Sequence, residues 1–493
     1  MTASAAQRLI LRGGRSAALG FLIRFGARLF FIFVAGRLFG ATLFGAFAVA
    51  VAVVELAVTI GGAGLKRQIF KLLDEGSAER PPPHILLDSV VLVILAGLAC
   101  AAPIMLVITL FPGLAAANTE TALFLLAPMI VGQALLDLLL AATRWTHRMR
   151  WQVWGRSVIE PYVGVVAAAA AWAFGWRETG LIVGYWAGTL AALLFALVGA
   201  RRCLGPFRLG AWRLKPKRLL DISRHTAWPT LSDFVGALAG RLDLYLVGLL
   251  LGEAPAGIYG MAQQMRTPIR QVRQSFDGLL TPIVSRTLVH GGAARTGRAT
   301  ASASRLILAI QLPALAALAI VGAPLLALIG AEFVAGYWAM LLLAAAETVQ
   351  GAFGVSDLIL LFRRAQRVIL VTLTSVAVTL ACGPLLIGWL GLAGGALAAL
   401  LATTGAAIVR RAILRREFGV EVPLFYAAVA LPAAAADLGV AMIVMGLPIE
   451  SLALRVAIAA SSGLAAYLVL LKLILRSRRE SLSLTHFVVE PQT

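Results

Sequence analysis

Charge is scarce in this chain of 493 residues, where Asp, Glu, Lys and Arg together make up 13%, against roughly 25% in a soluble globular domain. That shortage excludes an ordinary water-facing surface. Cysteine is scarcer still, with three residues: Cys100 and Cys382 fall inside apolar runs and Cys203 in a basic connector, so neither a disulfide framework nor a thiolate metal site follows. The five histidines, at 84, 147, 225, 290 and 486, lie in connectors, at run edges or in the tail, which leaves no catalytic or metal-binding His cluster within the runs. No Gly-rich phosphate loop of the Walker type occurs, so ATP hydrolysis has no support. No catalytic set, metal site or cofactor is expected.

Hydrophobic residues are abundant, at 60%. They fall in blocks of about 20, the length that crosses ~30 Å of hydrocarbon at ~1.5 Å per residue. Barrel strands would show ~10-residue alternating segments instead. The expected fold is all-α and polytopic, with about 14 transmembrane helices: 16–38, 41–61, 85–111, 121–142, 157–176, 180–200, 226–251, 254–283, 305–329, 333–362, 368–390, 392–409, 424–446 and 452–475. The N-terminal run is basic and then apolar, like a signal peptide, but it continues for a full span and reads as a retained helix.

Net charge is +20, and its placement argues for a membrane and against nucleic acid. Lys66, Arg67, Lys71 and Arg80, the Arg144–Arg156 group, the stretch 201–224, and the clusters near 286–298, 363–367, 410–416 and 472–479 occupy alternate connectors. The intervening connectors are short and nearly uncharged, too short for an extracytoplasmic catalytic domain. By the positive-inside rule both termini are cytoplasmic. The expected organisation is a six-span N-lobe (1–200), a basic cytoplasmic connector (201–225), a six-span C-lobe (226–409), two additional C-terminal spans (410–475) and a cytoplasmic tail (476–493). The two lobes carry a repeat: FGATLFGAF (39–47) aligns with LGEAPAGIY (251–259), superposing Gly40 on Gly252 and Gly45 on Gly257. An even number of spans per copy gives both halves the same topology, as in transporters whose site lies between two bundles.

Cations also occur where lipid is expected, at a cost of about 2.5–3.5 kcal/mol each on insertion scales. On the eighth span, Tyr259, Gln263, Arg266, Arg270, Arg273 and Asp277 recur at steps of three and four, one face of a helix. Pro268 lies in that face, removes a backbone donor and predicts a kink. Such a stripe is expected to line a cavity, with Arg273 and Asp277 able to pair with each other. Arg24 and Arg28 form a second i,i+4 pair, about 12 and 18 Å into the first span at ~1.5 Å per residue; Arg24 is near enough to the surface to snorkel. Arg241 lies in the seventh span with Asp243 two residues on, on a different side of the helix. Substrate-binding candidates are therefore Arg266, Arg270, Arg28, Arg241, Arg24, Arg273, Gln263 and Tyr259. Arginine suits a pyrophosphate because its planar fork donates paired hydrogen bonds and stays charged when desolvated. Among the carboxylates within spans, which either balance arginines or serve an ion relay, Glu55, Asp137 and Asp243 are the candidates for coupling H+ or Na+.

The segments AGRLFGATLFGAFAVAVAVVELAVTIGGAGLKRQIFKLLDEG (35–76) and LAGRLDLYLVGLLLGEAPAGIYGMAQQ (238–264) resemble the polysaccharide (O-antigen type) flippases of the multidrug/oligosaccharidyl-lipid/polysaccharide exporter superfamily. The resemblance covers the whole topology, but its specific motifs only those two segments. It implies a non-enzymatic flippase of the bacterial inner (cytoplasmic) membrane. By alternating access around a cationic central cavity, such a protein would move polyprenyl-pyrophosphate-linked oligosaccharide to the outer leaflet for lipopolysaccharide or exopolysaccharide synthesis. Its partners would be that lipid-linked oligosaccharide, membrane lipids and a coupling ion. An ion-coupled multidrug exporter and a peptidoglycan lipid-precursor flippase are the alternatives within the superfamily.

Overall fold

The computed structural model describes residues 3–76, 82–146, 148–205, 212, 215–290, 292–421, 430–447 and 451–477. Among them the regular structure is helical, with no strand. The side chains of residues 3–25 and 27–29, those of Arg24 and Arg28 included, are outside the described set, as is that of Asp277.

The chain divides into two compact units. The first runs to Arg241 and includes Leu251–Gly257. It contains α1 (Ala3–Gly61), α2 (Leu65–Asp74), α3 (Pro82–Leu110), α4 (Ala117–Leu126), α5 (Met129–Trp145) and α6 (Arg150–Trp154). A π-helical turn (Gly155–Ile159) leads to α7 (Glu160–Ala173) and α8 (Gly180–Leu204). Helix α9 (Pro216–Leu251) starts in this unit and contributes Leu242–Leu250 to the second, and helix α10 (Glu253–Met265) starts in this unit and ends in the second. The second unit, Leu242–Leu250 with Ile258 onward, holds α11 (Thr267–His290), α12 (Gly292–Ile329), a 3-10 turn (Ala331–Gly336) and α13 (Tyr337–Phe353). It continues through α14 (Ser356–Leu390), α15 (Leu392–Phe418), α16 (Leu431–Met445) and α17 (Leu452–Ser477).

Nine helices among the described residues are long and apolar enough to cross a membrane, or ten if α4 and α5, bent by 47° at their junction, form one span. The all-α polytopic architecture stands, and the count falls short of fourteen for identifiable reasons. The expected spans 16–38 and 41–61 lie in α1, whose helix is broken at Gly40 (φ 70°, ψ 178°). Span 157–176 shortens to α7 behind the π-helical turn. Span 254–283 breaks into α10 and α11, and the start of span 424–446 lies outside the described residues.

Burial follows from the sequence. Helix α2 is amphipathic: Leu65, Ile69 and Leu73 are buried, while Lys66, Arg67 and Lys71 face outward. Its apolar side joins Ile85, Leu86, Leu138, Leu139, Ala192 and Ala196 of α3, α5 and α8 in one core. In the second unit, Leu308 and Leu312 of α12 pack with Ala433 of α16 and Tyr467 and Leu471 of α17, and Tyr467 Oη donates a hydrogen bond to Ala309 O (2.8 Å). The basic connector is fastened to the first unit by a fully buried carboxylate: Asp88 accepts from Trp212 Nε1 (3.0 Å) and Arg218 Nη1 (3.1 Å).

The repeat is visible in the backbone. Gly40 and its counterpart Gly252 both adopt positive φ (70° and 93°), the left-handed region that favours glycine. Five residues further on, Gly45 and Gly257 meet across the first unit. A Cβ on Gly45 would overlap the carbonyl of Glu253 and approach Gly257 N to 2.7 Å; one on Gly257 would overlap the carbonyl of Ala41 and approach Gly45 N to 2.9 Å. The Glu253 carboxylate is held nearby, accepting from Thr119 N and Oγ1 (both 2.8 Å) and Asn118 Nδ2 (2.9 Å) in the first turn of α4.

Candidate functional site

The polar stripe begins on α10 and continues on α11, and the kink expected from Pro268 is a break at Arg266. That residue sits in a turn between Met265 and Thr267. Pro268, at the second position of α11, tolerates its missing N–H in a first turn. The break turns successive parts of the stripe toward different neighbours.

Above it, Tyr259 and Gln263 are buried against Asp243 of α9. Tyr259 Oη donates to Asp243 Oδ2 (2.7 Å), Gln263 Nε2 donates to the same oxygen (3.1 Å), and Leu244 N donates to Oδ1 (2.9 Å). A buried carboxylate with this many donors is well satisfied. Two predicted ligand residues are thereby occupied by a predicted coupling residue.

At and below the break, Arg266 and Arg270 converge on one oxygen of Glu347 in α13. Arg266 Nη1 lies 3.4 Å from Glu347 Oε1; Arg270 reaches it through Nε and Nη2, each at 2.8 Å. Arg266 is buried, with its Nε lacking a hydrogen-bond partner, whereas the Arg270 side chain is 37% exposed. Two guanidinium groups thus share one carboxylate, with Asp243 also close enough to act on Arg266. Arg273 lies by Asp357, which pairs with Arg410 (2.5 Å).

In the first unit, Arg241 and Glu55, one expected as a ligand and the other as a relay carboxylate, are each other's partner (2.6 Å). Arg241 and Asp243 therefore do take different partners, as their two-residue spacing implied. Asp137 is held by Arg156 and by Lys66 Nζ (3.1 Å); Arg156 also reaches Glu160 (2.8 Å) and Gln133 (2.9 Å). Arg24 and Arg28 lie on α1, and their side chains are outside the described residues.

Sequence reasoning gave Glu347 no role, because i,i+4 spacing reveals partners on one helix only. It also read Lys66, Arg67 and Arg144 as connector charges. The structure gathers these with Asp137 and Asp233 around a cavity of about 560 Å³ in the first unit.

Among the described residues no group of three or more His, Cys, Asp or Glu side chains is arranged to hold a metal ion. The arrangement of the second unit can accept an anion, with planar donors at a helix break in an apolar bundle.

Comparison with solved structures gives the fold its company. The lipid II flippase MurJ in an inward closed conformation is 13% identical, covers 94% of this chain and 100% of its own, and superposes with a TM-score of 0.75. An inward-facing multidrug resistance MATE family transporter of the MOP superfamily is 14% identical, covers 80% and 94%, and scores 0.68. Both show the same polytopic helical fold. No curated protein matches in sequence. Residues 10–288 match the family described as polysaccharide biosynthesis protein, and on that match, spanning more than half its length, the chain belongs to this family.

Proposed function

We propose that this protein moves polyprenyl-pyrophosphate-linked oligosaccharide from the cytoplasmic to the outer leaflet of the bacterial inner membrane, for lipopolysaccharide or exopolysaccharide assembly. The observation that carries this reading is the shared carboxylate: Arg266 and Arg270 present two guanidinium groups to Glu347 Oε1. An incoming pyrophosphate would find charge-assisted donors gathered at one point. Transport would proceed by alternating access of two six-span lobes, 1–200 and 226–409, with both termini cytoplasmic. The one-sided distribution of basic connectors supports that orientation. Movement without bond chemistry accords with the transporter fold. Arg24, Arg28 and Arg241 join Arg270 as ligand candidates for other stages of the cycle, and Asp243, Glu55 and Asp137 remain the candidates for H+ or Na+ coupling.

The test is depletion followed by extraction of lipid-linked saccharides. Accumulation of one defined species on the cytoplasmic leaflet supports the reading and identifies the glycan; drug sensitivity without accumulation favours a multidrug exporter. Accumulation of lipid II would instead assign the cargo named for the similar flippase MurJ. Arg266→Ala with Arg270→Ala is expected to abolish transport at normal membrane levels, and wild-type transport by that variant refutes the role of this seat.

A further inference from the structure

A cation-rich cavity lies in the first unit. Its walls come from the end of α1, the loop at Gly62–Gly64, the first turns of α2, the last half of α5 and Asp233 of α9. Its volume, about 560 Å³, falls within the ~300–1,000 Å³ range of small-molecule sites.

Three features give it the chemistry of an anionic amphiphile. Lys66, Arg67 and Arg144 line it, and of these Arg144 has no carboxylate at ion-pair distance among the described residues. Its guanidinium lies over the Phe70 ring (5.7 Å), and its Nε is buried without a hydrogen-bond partner. The other two are paired but keep open sides: Lys66 with Asp137 (3.1 Å) and Arg67 with Asp233 (2.6 Å), the cation side chains 53% and 60% exposed and the carboxylates 21% and 20%. Asp137 keeps Arg156 if Lys66 leaves. The first turn of α2 also opens here and has no side-chain cap, which adds a positive helix end to the cations. The apolar lining that stays partly exposed is Val58 and Phe70, whereas Ala134 and Leu138 belong to the buried core.

We infer that this cavity binds the diphosphate headgroup of a polyprenyl lipid, with Arg144 as the standing ligand, Lys66 and Arg67 recruited from Asp137 and Asp233, and the first isoprene units along Val58 and Phe70. The cations recognise a diphosphate monoester, and the apolar wall selects the lipid-borne form over a soluble one. The site's place on a transport path rests on the proposed function; binding itself does not.

The test is calorimetric titration of the full-length protein in phosphatidylethanolamine nanodiscs with farnesyl diphosphate and, separately, inorganic pyrophosphate. Farnesyl diphosphate is expected to bind at least tenfold tighter than pyrophosphate; equal affinities would overturn the lipid assignment in favour of a soluble diphosphate. Arg144→Gln, and Lys66→Gln with Arg67→Gln, should each weaken farnesyl diphosphate binding at least tenfold, while Arg144→Lys, which keeps the charge and guards against misfolding, should recover most of it. Wild-type affinity in both neutralised variants would overturn the site, as would equal competition by sulfate. Loss of all binding in Arg266→Ala with Arg270→Ala would place the anion in the second unit alone and also overturn it. If depletion accumulates no lipid-linked saccharide but these variants behave as expected, the cavity stands and the transport reading fails.

Discussion

Glu347→Gln removes the carboxylate on which Arg266 and Arg270 converge, and its effect can be worked from the geometry. At an effective dielectric constant of ~20, unit charges 3.4 Å apart attract by about 5 kcal/mol. Removing one partner of a buried pair costs about 3–5 kcal/mol, because the other charge is left uncompensated. The larger share belongs to Arg266, which is buried; the partly exposed Arg270 keeps some hydration, and its loss is discounted accordingly. The variant should therefore melt several degrees below wild type. It should also respond to an anion more strongly than wild type does, since a phosphate oxygen can take the place of Glu347 Oε1 without competing for it. The assay is thermal melting of purified protein with and without millimolar inorganic pyrophosphate, with Arg144→Gln in every sample to silence the cavity of the first unit. Arg270→Gln leaves one arginine for one carboxylate and should melt near wild type with little pyrophosphate shift. A Glu347→Gln variant that melts like wild type, or gains nothing from pyrophosphate, refutes the reasoning.

Other outcomes are equally definite. Gly45→Ala and Gly257→Ala should each lower the melting temperature by similar amounts, at a cost of about 1–3 kcal/mol or more for overpacking against backbone; the double variant should fall short of the sum because both act at one contact, and strictly additive shifts would contradict the shared contact. Tyr259→Phe removes a donor from a buried carboxylate and should destabilise by about 1.5–3 kcal/mol, read by melting; an unchanged curve means Asp243 does not rely on that hydroxyl. Moving a headgroup of about two negative charges outward is favoured by about 4–5 kcal/mol per 100 mV when the cytoplasm is negative. Collapsing the potential at a fixed pH gradient should therefore slow transport in proteoliposomes, and an unchanged rate excludes that contribution.

What the sequence made legible is what repeats at short range. Apolar blocks gave helices, the glycines of residues 39–47 and 251–259 gave matching turns, and Pro268 gave a break within one residue pair of where it stands. The steps of three and four placed Tyr259, Gln263, Arg266 and Arg270 on one face. What the face touches was not legible, since Asp243 lies on the preceding helix and Glu347 on α13, and no periodicity links positions on separate helices. For a related reason hydropathy does not report that α10 ends at Met265 or that α7 begins only behind a π-helical turn. Lys66, Arg67 and Arg144 were hidden by their ordinary role, because a basic connector satisfies the positive-inside rule whether or not its charges also surround a cavity.

The contact of the two glycines has a consequence for how such a chain could arise. Ala41 and Gly45 of one repeat copy meet Glu253 and Gly257 of the other, and these are equivalent positions taken in reciprocal order. A contact in which i meets j while j meets i is isologous, the form a two-fold homodimer uses. A half-length ancestor carrying one copy would already possess a self-complementary patch, able to pair with a second molecule of itself. Fusion of two such halves would preserve the pairing and convert a concentration-dependent association into an intramolecular one, leaving each glycine answerable to a partner that descends from the same codon.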